Sequence, residues 1–208
     1  MTSPIVTELC STASPWLALV LCLQRLMTWR GFRLRGGGQL FVAGGVGLAI
    51  LLIPVERIAV ARWITGINAN FSVALLATLV VTVYERAFAR MWFSSRDWDA
   101  CWMFGAVGGL ALYPFALGLS RFDLYEWGWH GSPLFAIMAV LTGWLLWKQI
   151  RFGFVLLCAA AAFQLQLLES TNYWDYLLDP IYVLVSFVML IRRPFSVRAA
   201  RRVPQGSP

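Results

Sequence analysis

Residues 152–191 read FGFVLLCAAAAFQLQLLESTNYWDYLLDPIYVLVSFVMLI. Two almost wholly apolar runs, Phe152–Leu168 and Ile181–Ile191, enclose a polar and aromatic stretch, Glu169–Pro180, which we call the second polar segment. Apolar runs of this kind on both sides of charged residues predict two helical spans that are joined at a membrane surface. A similar stretch, Arg121–Pro133, is called the first polar segment, and we expect it on the same side of the membrane, beside the second.

The composition supports a membrane protein. Of the 208 residues, 60% are hydrophobic and 13% are charged, whereas soluble domains are about half apolar and about a quarter charged. The chain is therefore predicted to be an all-α integral membrane protein with short loops. Residues 1–193 are expected to form one polytopic transmembrane domain, and residues 194–208 a basic, disordered cytoplasmic tail.

Seven apolar segments predict a bundle of seven transmembrane helices. The first is the weakest, because Gln24 and Arg25 lie inside it, and a first segment lying flat in the interface would leave six spans. The stretch Ile58–Asn70 is expected to be an interfacial linker, and residues 94–99 a polar turn. The seven segments are Leu9–Trp29, Leu40–Val55, Phe71–Trp92, Ala100–Ser120, Leu134–Trp147, Phe152–Leu168 and Ile181–Ile191.

Basic residues predict the orientation of the chain. If the ends of the first, third, fifth and seventh segments lie on one side, that side holds 14 of the 17 basic residues. The other side holds Arg57, Arg62 and Arg121. Because cytoplasmic loops are enriched in Lys and Arg, the first side is cytoplasmic, the N-terminus is outside, and both polar segments face outward. The expected location is the bacterial cytoplasmic (inner) membrane.

Several classes of site are excluded by residue types that are rare or missing. With one histidine, His130, the chain cannot build a bis-histidine haem site or a three-histidine metal site, and we expect neither a metal nor a cofactor. The four cysteines lack paired spacing, and no phosphate-binding or serine-nucleophile motif occurs. The net charge of +7 is explained by the topology of the basic residues, so a nucleic-acid partner is not expected.

The candidate site residues all lie in or next to the two polar segments. Asp179, which precedes Pro180, is expected to cap the helix of the last segment. The candidates for acid–base catalysis are the ionisable residues Glu169, Asp175, His130 and Asp123. The candidates for ligand binding are Glu126, Trp127, Trp129, Tyr173, Trp174, Tyr176 and Gln166, whose aromatic members are either interfacial belt residues or a platform under a sugar ring or lipid headgroup.

Aromatic and carboxylate residues without a complete catalytic constellation favour a binding or scaffolding protein. Its acidic, aromatic outer rim would act in envelope glycan or lipid handling. Its expected partners are membrane lipids, a saccharide or lipid-linked substrate, and other envelope membrane proteins. Two alternatives stay open: a small integral membrane enzyme that acts on a lipid-linked substrate at the outer leaflet, and a small-solute permease.

Overall fold

A computed structural model describes residues 4–32, 34, 37–119, 123–129 and 132–201, and among these it describes the side chains from residue 6 to residue 192. Over these residues the regular secondary structure is helical apart from one hairpin of two-residue strands, which confirms the all-α class. The elements in chain order are α1 Pro4–Trp29, α2 Gly37–Leu52, β1 Pro54–Val55, β2 Ile58–Ala59, α3 Val60–Ile67, α4 Val73–Phe88, α5 Ser95–Ala116, a 3-10 helix Leu124–Gly128, α6 Pro133–Trp147, α7 Phe152–Gln164, α8 Tyr173–Leu177 and α9 Pro180–Arg201.

Each predicted apolar segment forms a helix, but some boundaries differ. The stretch expected to be a polar turn is instead the beginning of α5. Ser94 caps this helix in a capping box: its hydroxyl accepts from the Asp97 backbone N–H, while the Asp97 carboxylate accepts from the Ser94 N–H at 2.7 Å. The expected linker after α2 contains the hairpin and the short helix α3. The division of the chain at residue 193 stays a prediction.

One helix in the described part of the chain, Val6–Trp29, is both long and apolar enough to cross a membrane. The sequence made this segment the weakest span, whereas in the structure it is the strongest by length and composition. Four further apolar helices are shorter, at 10 to 17 residues: Gly37–Leu52, Pro133–Trp147, Phe152–Gln164 and Pro180–Arg192. The structure thus supports association with a membrane through α1.

Helices α5 and α9 pack closely because glycines line their contact. A Cβ atom added at Gly105 would overlap the side chain of Ser186, and one added at Gly109 would overlap Val183. These two glycines form the small-residue spacing that permits close approach of helix backbones. The hydroxyl of Tyr182 also donates to the Cys101 carbonyl across this contact at 2.6 Å.

Polar contacts join the chain at two opposite ends of the helices. At one end, Asp97 of α5 accepts a hydrogen bond from the Arg151 backbone N–H, which ties the α4–α5 loop to the α6–α7 loop. At the other end lie the start of α1, helix α3 and both polar segments. We call the first end the basic end and the second the polar-segment end. The contact of Asp97 with Arg151 joins two parts of the chain that the sequence places on the same side of the membrane.

Candidate functional site

The second polar segment is largely buried. Asn172 caps α8 by accepting from the Trp174 backbone N–H at 2.9 Å. The rings of Tyr173, Trp174 and Tyr176 are 3%, 7% and 0% exposed, and the Tyr176 hydroxyl donates to the Ser170 carbonyl at 3.0 Å. Of the three, Trp174 also lines a mainly apolar groove between α5 and α6. An exposed aromatic platform does not fit the burial of these rings. They are core residues that hold the segment in place.

The two polar segments are in direct contact, as the sequence predicted. Trp174 Nε1 donates to the Leu124 carbonyl at 2.8 Å, and Asn172 Nδ2 donates to the Tyr125 carbonyl at 2.9 Å. Gly128 lies against the same amide, so closely that a Cβ atom at this position would overlap Asn172. Asn172 therefore caps α8 in the second polar segment and, with the same side chain, donates a hydrogen bond to the first polar segment. This role was not predicted from the sequence, although Asn before a short helix is a typical capping residue.

Asp175 also belongs to this contact. Its Oδ2 atom accepts from the hydroxyl of Tyr125 at 2.9 Å and from that of Ser170. Burial, with the nearby Asp175 charge, raises the pKa of Tyr125 to about 12, so the phenol stays protonated and donates at neutral pH. This carboxylate is occupied in joining the two segments, which is a structural role.

Asp179 caps α9, which confirms the sequence prediction, and also contacts a second helix. Its Oδ1 atom accepts from the backbone N–H groups of Ile181 and Tyr182, each at 2.9 Å. Its Oδ2 atom accepts from Ser72, whose hydroxyl in turn caps α4 by accepting from the Leu75 N–H. Burial raises the pKa of Asp179, and the four hydrogen bonds that it accepts oppose this shift.

The remaining candidates of the first polar segment are distributed over its surface. Asp123 caps the 3-10 helix by accepting from the Tyr125 N–H at 2.8 Å. Glu126 and Trp129 are exposed and Trp127 is half-buried. His130 lies outside the described residues. Of the residues expected to act in catalysis, Asp123 and Asp175 both accept hydrogen bonds from Tyr125, and a shared catalytic role for the four stays a prediction.

Glu169, by contrast, is exposed and lines a cavity of about 700 Å³ at the polar-segment end. The cavity lies between the start of α1, helix α3 and the turn that follows α7. It brings together side chains that are far apart in the sequence. Its polar lining consists of Thr7, Glu8, Ser11, Arg62, Thr65, Gln166 and Glu169.

The cavity has a mixed charge with an acidic excess. Arg62 Nη2 lies 3.2 Å from Glu8 Oε1, and these side chains are 71% and 60% exposed, so the pair is solvated and contributes little stability. Glu169 adds a second carboxylate. Gln166 is the one residue expected to bind a ligand that lies beside it; its backbone is left-handed, with φ 51°, and its amide donates to the Phe163 carbonyl.

Glu8 and Arg62 were not predicted from the sequence as site residues. A sequence signal was present, since Glu8 precedes the first apolar segment and Arg62 lies in the linker that was expected on the same side of the membrane. Their meeting depends on the packing of α3 against the start of α1, which the local sequence does not encode. No protein-family model, curated protein or solved structure matches this chain.

Proposed function

We propose that this chain is a multi-pass protein of the bacterial cytoplasmic membrane that binds a polar ligand in its outer cavity. In this proposal the protein is a binding component of envelope lipid or glycan handling. The observation that carries the proposal is the meeting of Arg62, Glu8 and Glu169 around one open cavity. Charged side chains directed into a shared cavity are typical of a site for a charged or zwitterionic group.

Exposed apolar side chains on several helices support the proposal of several transmembrane spans. Phe41 of α2 is 83% exposed, Val140 of α6 is 74% exposed and Leu184 of α9 is 65% exposed. Soluble proteins rarely present large contiguous apolar surfaces to water, whereas hydrocarbon is a suitable environment for them. Among the residues whose side chains the structure describes, the basic end also carries most of the positive charge, and the positive-inside rule then assigns it to the cytoplasm.

Some of the helices that this proposal places across the membrane are shorter than its hydrocarbon core is thick. Helix α7 has 13 residues, which is about 20 Å at ~1.5 Å per residue, while the hydrocarbon core is about 30 Å thick. The polar segments must then lie partly below headgroup level. Irregular chain at that depth requires internal hydrogen bonds, and both segments have them through Asn172, Asp175 and Trp174.

The lining of the cavities also bears on the two alternative functions, a permease and an enzyme. A permease needs a polar path between its helices, and the groove of about 670 Å³ between α5 and α6 is lined mainly by apolar residues such as Met103 and Leu141. An enzyme acting on a lipid-linked substrate keeps one supporting observation: Glu8 and Glu169 face the same cavity, where one could act as acid and the other as base.

The test is complementation of a deletion strain. Variants Glu8→Gln, Arg62→Gln and Glu169→Gln remove one charge each from the cavity at nearly constant size or length. The control is Glu56→Gln, which changes an exposed carboxylate in the turn between β1 and β2. We expect the control to rescue the strain and the three cavity variants to fail at equal membrane levels. Full rescue by all three would refute a functional site in this cavity.

A further inference from the structure

A second cavity adjoins the polar one. It has a volume of about 490 Å³ and lies between α1, α2 and α3. The two share Glu8, Ser11, Arg62 and Thr65 in their linings. Away from these shared residues the second cavity is apolar except for Thr12, with Trp16, Leu48 and Leu51 in its walls. We call it the α1–α2 groove.

The order of chemical groups along the two cavities is that of a phospholipid. Glu169 lines the polar cavity only, Arg62 lines both, and Leu51 lines the groove only. A phospholipid carries its groups in the same order, with a polar headgroup, then a phosphate, then acyl chains. Resting on the proposed function, we infer that the ligand is an ethanolamine phospholipid with its ammonium group at Glu169, its phosphate at Arg62 and an acyl chain in the groove.

The phosphate position follows from the chemistry of Arg62. A guanidinium has five N–H donors, so it can hold a phosphate while it keeps its contact with Glu8. The side chain is largely exposed at the junction of the two cavities and contacts Glu8 through Nη2, so its other N–H groups can donate to a ligand. Trp16, whose Nε1 donates to the Gly44 carbonyl at 3.0 Å, is held in the groove wall.

The charge of the cavity selects the headgroup. Two carboxylates and one guanidinium leave a net negative lining, which disfavours lipids with a net negative headgroup. A primary ammonium can donate three hydrogen bonds to carboxylate and amide oxygens, whereas a quaternary ammonium cannot donate and prefers aromatic cages. No aromatic side chain lines the polar cavity within the residues that the structure describes. Ethanolamine is therefore favoured over choline, and over a saccharide stacked on a ring.

The test uses native mass spectrometry on the full chain after delipidation in detergent. Ethanolamine, choline and glycerol phospholipids with identical acyl chains are added separately. We expect the ethanolamine lipid to bind roughly three- to fivefold more tightly than the choline lipid, the range of a solvent-accessible charge pair. Equal binding of these two lipids by the wild-type protein would overturn the inference.

Single substitutions test the position that we infer for each chemical group of the lipid. Glu169→Gln should remove the preference for ethanolamine, and Arg62→Gln should weaken both zwitterionic lipids by a similar factor. Ala13→Leu should weaken all three lipids by filling the groove, since Ala13 lines it; the matched control, Ala136→Leu, changes an exposed residue of α6. Glu56→Gln should bind like the wild type. A preference that survives Glu169→Gln would contradict the placement of the ammonium group.

A soluble headgroup separates this inference from the proposed function. Glycerophosphoethanolamine has the charged groups without acyl chains, and we expect it to bind at least tenfold more weakly than the lipid. Binding as tight as that of the lipid would refute a role for the groove and leave the polar cavity as the site. If neither compound binds and the cavity variants rescue the deletion strain, the proposed function fails as well. Size-exclusion elution identical to that of the wild type shows that each variant is folded.

Discussion

The Oδ2 atom of Asp179 accepts two hydrogen bonds from Ser72, one from the backbone N–H at 3.0 Å and one from the hydroxyl at 2.6 Å. Each of the two residues caps a different helix, Ser72 α4 and Asp179 α9. One buried carboxylate therefore fixes the beginnings of two helices relative to each other. Both helices start at the polar-segment end. The Ser72–Asp179 pair therefore fixes the relative position of two helix ends that lie beside the polar segments.

Replacing Asp179 should be among the most destabilising single changes at this end. Asp179→Ala leaves the N–H groups of Ser72, Ile181 and Tyr182 without their acceptor in a buried place. We expect a loss of about 3 kcal/mol or more in the free energy of unfolding, because each orphaned buried donor costs roughly 1–3 kcal/mol. Unfolding in mixed detergent micelles measures this. Asp123→Ala, which removes an exposed cap, is the control and should cost about 1 kcal/mol.

The pKa of Asp179 also gives a pH dependence. Burial raises this pKa in the folded protein above the ordinary value of 3.8. Between the two pKa values the folded state binds more protons than the unfolded state, so the contribution of Asp179 to stability is full below the ordinary pKa and falls as pH rises through the folded pKa. The thermal midpoint of the wild type, minus that of Asp179→Asn, should therefore decrease with pH from about 4 upward. An increase would show that the hydrogen bonds outweigh the effect of burial.

The close contact between the two polar segments predicts that a larger residue at Gly128 destabilises the protein. Gly128→Ala places a methyl group where the Asn172 amide lies, so either the 3-10 helix or the amide must shift. We expect a loss of about 1–3 kcal/mol in stability and faster proteolysis between residues 121 and 133. The control is Gly118→Asn, because Gly118 has a left-handed backbone that Asn tolerates and nothing lies within 4 Å of an added Cβ. Equal stability of both variants would contradict a tight contact.

Local sequence patterns were sufficient for part of this structure. Apolar runs identified the helices, and Asp before Pro identified the cap of α9. The burial of Tyr176 was missed because an aromatic residue at a membrane surface and one in a core have the same local sequence. The cavity was missed because Arg62 and Glu8 are 54 positions apart. Their meeting depends on how whole helices pack, which is a property of the assembled chain.

Glycines in two helices provide a matched pair of substitutions. Gly109→Ala should destabilise the protein by about 1–3 kcal/mol, since the new methyl group would overlap Val183 of α9. Gly143→Ala, in α6, has nothing within 4 Å of the added Cβ, and should be neutral or stabilising by up to about 1 kcal/mol because alanine favours helices. Thermal denaturation in detergent compares the two. Similar effects of both changes would show that α5 and α9 do not depend on this contact.

The orientation of the chain decides whether the polar cavity faces the outside of the cell. Single cysteines are introduced at Glu126 and at Lys148, both exposed and at opposite ends of the helices. The partly or fully exposed native cysteines Cys10, Cys22 and Cys158 are first replaced by serine, and the buried Cys101 is kept. A membrane-impermeant maleimide should label Glu126→Cys in intact cells and Lys148→Cys only after lysis, because basic loops stay in the cytoplasm. The reverse pattern would place Glu169 and Arg62 inside the cell. A lipid bound there would then come from the cytoplasmic leaflet, and the outer-leaflet role would be wrong even if the ethanolamine preference held.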